Sequence, residues 1–309
     1  MRGRVGRLKA HLVKLRYNVA EWWRWWTLFS KDMPKVKQFV RNVSYHDGPR
    51  NKQKMLDIIV PDIEGPLPVM IYIHGGAWML FGKDIYTRTC KTFANNGCIV
   101  FNINYRLGPK HTYPIPMLDV AEAVQWVCKH AAEYGGDPQN IFLAGDSAGA
   151  HLASLYASAL VDKELPGLIG LGELIPLHCI KGLILFYGAF DFDTLVRTDA
   201  NHIDVFVDSF LGSEPVIRER RVAHASPLRH VENGYPPSLI IAGEADVLYT
   251  ESTAFAEKLE FKNILHKRLF FTQEEHPDAG HCFLNYHKRR CVQVALREIT
   301  GFINEHKQN

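Results

Sequence analysis

The run from Asn140 to Gly149, NIFLAGDSAG, constrains this chain more than any other stretch. Ile141 to Ala144 is apolar, Gly145-Asp146-Ser147-Ala148-Gly149 follows at once, and Ala148 to Val161 continues at helical spacing. The order is strand, sharp turn and helix with a serine at the apex, which is the setting in which a G-x-S-x-G pentapeptide carries chemistry. A serine hydroxyl is a weak nucleophile at neutral pH, so it needs a base within hydrogen-bond reach and room for a carbonyl to approach. Gly145 and Gly149 lack Cβ atoms, which lets strand and helix come close and lets the serine hold strained backbone angles. The same small residues could serve close packing alone, and the rest of the chain decides between the two.

At 309 residues, with 47% hydrophobic and 22% charged residues, the chain can bury a large core as one big α/β domain or two modest ones. No segment reaches the apolar length that spans a bilayer. Lys14 and Arg16 interrupt what would be the apolar region of a secretory signal, so a cytoplasmic location is expected. The six cysteines are scattered without metal-ligand or redox spacing, as expected of thiols in a reducing compartment, and no metal centre is expected. Charge is uneven: residues 1–37 hold ten Lys or Arg against Glu21 and Asp32, whereas the whole chain carries only +3. The body is therefore mildly acidic and offers no nucleic-acid surface.

Within that basic arm, residues 1–37, Val5, Leu8, Leu12, Leu15, Val19, Trp22, Trp26 and Phe29 recur at spacings of three and four, which marks one face of a helix. A stripe of this kind is more often buried than lipid-facing, so the arm is read as a helix packed over the body, part of a substrate-covering cap. The competing reading is a weak contact with a membrane surface through a basic, Trp-rich helix ending in Trp22-Trp23-Arg24-Trp25-Trp26.

From residue 38 the texture changes. Gln38 to Tyr45 and Met55 to Val60 suggest an antiparallel entry to a sheet, and buried-type strands follow at Val69 to Ile73, Cys98 to Asn104, Ile180 to Tyr187, Ser238 to Ala242 and His266 to Phe271. Helical patterns at Met117 to Tyr134, Glu251 to Leu259 and Tyr286 to Glu305 alternate with them. The expected fold class is α/β, a mostly parallel sheet with helices on both faces, in one catalytic domain over 38–309. Asp191 to Pro237 breaks the strand rhythm and reads as an insertion over the sheet. In such sheets ligands bind beyond the carboxyl ends of the strands.

Ser147, Asp246 and His281 follow in the chain order nucleophile, acid, histidine, each beyond a strand end. The histidine would take the serine proton and return it to the leaving group, while the aspartate fixes the imidazole tautomer. His281, in a loop just before the last helix, is preferred to His276, which precedes a proline, and to His151, one turn past Ser147. Asp246 is preferred to Asp191 and Asp193 as the acid. Asp146 cannot orient the histidine from its place beside the nucleophile; it is expected to hydrogen-bond around the turn and border the substrate pocket. The amides of Gly75, Gly76 and Ala148 are the expected oxyanion donors, since charge developing on a carbonyl oxygen needs preset N–H groups.

The set His74-Gly-Gly-Ala-Trp78, Tyr134-Gly-Gly-Asp-Pro138, Gly145-Asp-Ser-Ala-Gly149, Asp246 and His281 resembles the hormone-sensitive-lipase-like family of α/β-hydrolase carboxylesterases. The resemblance runs from about Val40 to the C-terminus. It implies the α/β-hydrolase fold, serine hydrolysis of carboxylic esters without a cofactor, and a structural role for His74; the expected activity is that of a serine carboxylesterase acting through an acyl-enzyme on small or medium acyl groups. It also implies a cap made of the N-terminal helices and the insertion at about 191–237. The chain departs from the pattern at Ala77, where many members have a third glycine; with Trp78 it is expected to narrow the pocket. The His-Gly-Gly-x-Trp variant also resembles kynurenine formamidases and plant prenylcysteine methylesterases, so formamide and methyl-ester substrates remain alternatives. A ligand-binding protein on the same fold is the non-enzymatic alternative, and the sequence leaves a homodimer open.

Overall fold

The computed structural model describes residues 2–24 and 33–308, with only the backbone for residues 2–7 and 21–24. The side chains of Val5, Trp22, Trp26 and Phe29, part of the stripe read from the sequence, lie outside what is described.

Eight strands form the sheet: β1 (Gln38–Ser44), β2 (Met55–Val60), β3 (Leu67–Ile73), β4 (Ile99–Ile103), β5 (Gly136–Asp146), β6 (Ile180–Phe186), β7 (Ser238–Gly243) and β8 (His266–Phe271). They pair in the order β1-β2-β4-β3-β5-β6-β7-β8, with β2 antiparallel to both neighbours and every later pair parallel. The α-helices are α1 (Arg2–Arg24), α2 (Thr87–Asn95), α3 (Ile115–His130), α4 (Ala148–Val161), α5 (Leu165–Ile169), α6 (Phe192–Leu195), α7 (Ile203–Leu211), α8 (Pro215–Ala225), α9 (Tyr249–Phe261) and α10 (Arg290–His306).

Strand side chains alternate between the two faces of a sheet, so a strand covered on both faces reads as a continuous apolar run: β2, β3, β4, β6 and β7 are buried along their whole length, whereas the edge strands β1 and β8 stay partly exposed. Val69, Ile71 and Ile73 join one core with Val124 of α3, Leu152 of α4 and Phe255 of α9. Met70 and Tyr72 join the other core with Phe93 of α2 and Phe302 of α10.

Strand β5 and helix α2 depart from the sequence reading. Strand β5 begins at Gly136, directly after Gly135 closes the preceding turn at φ 81, and not at Ile141. Its pairing with β3 shifts register between Asp137 and Ile141, so Pro138 falls in a bulge, where its missing N–H costs no ladder bond. Helix α2 carries only short apolar patches around polar Thr and Arg, and its periodicity went unread.

The segment between β6 and β7 carries α6, α7 and α8. Helix α1 crosses this region, where Ala10 and Val13 pack with Val205 and Phe206 of α7 and with Met79 and Leu80. This contact corrects the reading of the arm. The stripe Leu8, Leu12, Leu15 and Val19 is exposed, and α1 meets the body through a different face.

Candidate active site

The parallel register sets the site. Ile73 of β3 pairs with Gly145 of β5, so the residues just beyond this pair, His74-Gly75 and Asp146-Ser147, emerge side by side. Ser147 holds φ 50 and ψ −115, a strained pair for a residue with a Cβ. The turn is forced by closeness: a Cβ on Gly149 would lie 1.9 Å from the carbonyl oxygen of Ile73. Helix α4 starts immediately after the serine, and His151 donates its backbone N–H to the Ser147 carbonyl at 3.1 Å.

Asp246 and His281 arrive from the ends of β7 and β8. Asp246 accepts the backbone N–H of Leu248 at 2.7 Å and is contacted through both carboxylate oxygens by His281 Nδ1 at 3.0 Å. A carboxylate only accepts, so Nδ1 carries the proton and Nε2 is left as an acceptor. Ser147 Oγ lies 3.1 Å from that Nε2. Burial lowers the affinity of the His281 imidazole for a proton, but the charge and hydrogen bond of Asp246, with a smaller contribution from Asp146, outweigh it, and its pKa is raised above 6.5. Tyr187 packs edge-on against His281 with ring centroids 5.1 Å apart.

The other carboxylates weighed as acids are engaged elsewhere. Asp191 caps α6 and pairs with Arg229 at 2.9 Å, and Asp193 pairs with the same guanidinium. His276 meets its loop through the backbone, donating to Thr272 and accepting from Ala279. His151 is buried, accepts the Trp78 indole N–H at Nδ1 (3.0 Å), and donates from Nε2 to the Ala225 carbonyl (2.6 Å). Burial holds its pKa down at about 4, so it stays neutral. His74 is fully buried, donates to the Gly75 carbonyl at 2.7 Å and stacks on Tyr105.

Two expectations are corrected. Asp146 does not border the pocket: it is completely buried and accepts Tyr72 O–H at 2.8 Å, Gly75 N–H at 2.8 Å and Tyr86 O–H at 3.1 Å. Burial pushes its pKa up, and these three donors pull against that shift. Gly75 consequently has no N–H to offer a substrate. The turn continues through Gly76 (φ 113), Ala77 (φ 49) and Trp78 (φ 58), and brings Gly76 and Ala77 to the cavity wall beside Ser147. Among the described residues no acceptor takes the N–H of Gly76, Ala77 or Ala148.

A cavity of about 360 Å³ opens over Ser147 and His281. Ala77 and Trp78 line it, and Ala189, Leu195, Ile203 and Phe206 come from the β6–β7 segment. Tyr17 closes it from α1. Sequence reasoning missed Tyr17 and also Glu251 on α9. The buried Glu251 carboxylate accepts Phe190 N–H at 2.8 Å, Asp191 N–H at 2.9 Å and the Thr194 hydroxyl, fastening the base of the segment that lines the cavity.

A parallel sheet entered by an antiparallel strand, with a serine at the strained turn after its fifth strand and a histidine and carboxylate behind the last two, defines an α/β-hydrolase. Residues 56–259 match the BD-FAE family model. Carboxylesterase NlhH of Mycobacterium tuberculosis is 40% identical over 277 residues, 87% of this chain and 81% of the relative. Esterase LipQ of the same organism is 32% identical over 272 residues, 83% of this chain and 61% of the relative. Among solved structures, esterase B of Lactobacillus rhamnosis superposes with a TM-score of 0.86 at 20% identity, covering 97% of this chain and 94% of that one, which is a likeness of fold. The chain belongs to the BD-FAE family, within the hormone-sensitive-lipase-like α/β-hydrolases. It spans 61%, 50% and 51% of the length of three longer curated relatives, LipQ, LipM and a plant isoprenylcysteine methylesterase-like protein.

Proposed function

We propose that this protein is a serine carboxylesterase with Ser147 as nucleophile, His281 as general base and acid, and Asp246 as the group that orients and charges the imidazole. One observation carries the reading: the continuous path from Ser147 Oγ to His281 Nε2 (3.1 Å) and from Nδ1 to Asp246 (3.0 Å). The names of the curated relatives, esterase and carboxylesterase, support it.

In the acylation step Ser147 Oγ adds to the ester carbonyl carbon as its proton passes to His281 Nε2, and the carbonyl electron pair moves onto oxygen. The N–H groups of Gly76, Ala77 and Ala148 receive that oxyanion, each such donor lowering the barrier by about 2.7 to 4 kcal/mol. Collapse breaks the carbon–oxygen bond to the alcohol, which leaves with the proton from His281. Water then gives a proton to His281, adds to the acyl carbon and displaces Ser147 Oγ, which takes the proton back. A cavity of about 360 Å³ with apolar walls suits small and medium acyl groups. Mixing with p-nitrophenyl acetate should release a burst of p-nitrophenol equal to the enzyme present, and Ser147→Ala should give none. A Ser147→Ala variant as active as the parent would exclude this mechanism.

A further inference from the structure

Helix α1 is apolar on two opposite sides. Ala10 and Val13 face α7 and Tyr17 faces the cavity. Leu8, Leu12, Leu15 and Val19, at positions i, i+4, i+7 and i+11, point away, with 57 to 64% of each exposed. At about 100° per residue the two sets lie on roughly opposite sides, and the outer row runs about 16 Å along the axis. Exposure of large apolar side chains is concentrated here: of the twelve among the described residues, four form this row, and the others are scattered over loops and helix ends.

The charge of the helix says what covers the row. Residues 1–24 hold seven Lys or Arg against Glu21 alone; Arg16 is exposed on the same helix, and so is Lys9, whose ammonium pairs with Asp204 at 2.8 Å. A second copy of this chain docked along the row would bring two strongly cationic helices together, and like-charge contact opposes such an interface. A surface of anionic lipid headgroups has the opposite sign and an apolar layer just beneath it, which fits a row of leucines edged by cations. The sequence continues with Trp22, Trp23, Trp25 and Trp26, a residue type whose preferred level is the membrane–water boundary.

We propose that α1 seats this protein on an anionic lipid surface, the row Leu8-Leu12-Leu15-Val19 sinking to headgroup depth while the opposite face of the same helix roofs the cavity. One consequence rests on the esterase reading: the cavity then takes its ester from the lipid layer, because the residue that closes it, Tyr17, belongs to the helix held there.

Flotation of the full chain with vesicles of phosphatidylcholine alone, or with three parts in ten of phosphatidylglycerol, tests the seat. The chain is expected to float with the anionic vesicles, to bind the neutral ones at least tenfold less, and to be released by high salt only in part. Replacing the row by Gln (Leu8→Gln, Leu12→Gln, Leu15→Gln, Val19→Gln) should cut flotation at least tenfold while leaving p-nitrophenyl acetate hydrolysis within twofold. The milder Leu12→Gln, Leu15→Gln pair, with the melting temperature of the parent, should give an intermediate loss. Equal flotation of the four-Gln variant, or no flotation of the parent, overturns the proposal. A parent that dimerises without binding vesicles, and becomes monomeric on the four-Gln change, assigns the row to a second copy and overturns it as well. Ser147→Ala should float like the parent; flotation without ester hydrolysis in the parent would sink the esterase reading and leave the lipid seat standing.

Discussion

The floor and the roof of the cavity are built in contrasting ways. The floor is the pair of turns after β3 and β5, fixed by backbone: strand register, a helix within van der Waals distance, and the Asp146 carboxylate holding three buried donors. The roof is α1, held by a small apolar seam against α7, by a Lys9–Asp204 pair whose side chains are 52% and 66% exposed, and by two long hydrogen bonds of 3.3 Å, from Lys14 Nζ to the Gly108 carbonyl and from Phe81 N–H to Asn18 Oδ1. Reacting atoms need positions held to a fraction of an ångström, whereas an entrance must admit and release a ligand. The floor is therefore over-determined and the roof lightly fastened.

The largest effects should come from the floor. Ser147→Ala should lower kcat by about a millionfold, as removing a nucleophile that acts with its base and acid as one unit does. Asp246→Asn should follow, with kcat down by about ten-thousandfold. It also carries a pH signature. The proposed base must be neutral to accept the serine proton, and the pKa of His281 is raised above 6.5, so kcat/KM should fall as pH drops through a value above 6.5. Removing the carboxylate charge takes away the main upward influence, so the acid limb of the Asn variant should move to lower pH. An unmoved limb would detach His281 from Asp246. Third is Asp146→Ala, which leaves the Tyr72 hydroxyl, the Gly75 amide and the Tyr86 hydroxyl buried without their acceptor. At about 1 to 3 kcal/mol for each buried donor left unpaired, a loss near 3 kcal/mol or more is expected in urea unfolding. A loss under about 1 kcal/mol would mean the turn is held by packing instead.

The same contrast separates what the sequence made legible from what it did not. Strand positions were readable because two-sided burial leaves continuous apolar runs, and the proposed triad Ser147, Asp246 and His281 could be named because each residue lies beyond a strand end. The proposed oxyanion donors were harder. Choosing between Gly75 and Ala77 requires knowing that Ile73 lies opposite Gly145, a relation between strands separated by 72 positions that no local pattern carries. Asp146 was read as a group around the turn, but its three partners come from β3, the turn after it and the segment before α2, so its burial could not be seen. In α1 the period was right and the direction was wrong. Leu8, Leu12, Leu15 and Val19 make the more obvious row, while the face that packs consists of Ala10, Val13 and Tyr17, small or mixed in character. Hydrophobicity alone ranks the wrong face first when a helix has two.

The roof should respond to substitution in a different currency from the floor. Val13 is buried in the α1–α7 seam, outside both cores that cover the sheet. Val13→Asp puts an unpaired charge there, which the helix can relieve by lifting away without unfolding the body. The melting temperature should change little while KM for p-nitrophenyl esters rises several-fold, because Tyr17 leaves the cavity with the helix. Unfolding of the whole protein by this change would make α1 part of the core and erase the distinction. The smallest effect belongs to Lys9→Ala. Its ion pair with Asp204 is open to water, where side-chain ordering and screening cancel most of the attraction, so the stability loss should be about 0 to 0.5 kcal/mol and vanish at high salt. The pair pulls the Asp204 pKa below the usual carboxylate range, so any stability it adds is present above that range and disappears as the pH falls and Asp204 is protonated. A loss above 1 kcal/mol that persists in high salt would show the roof to be clamped electrostatically, and the light fastening inferred from its exposure would be wrong.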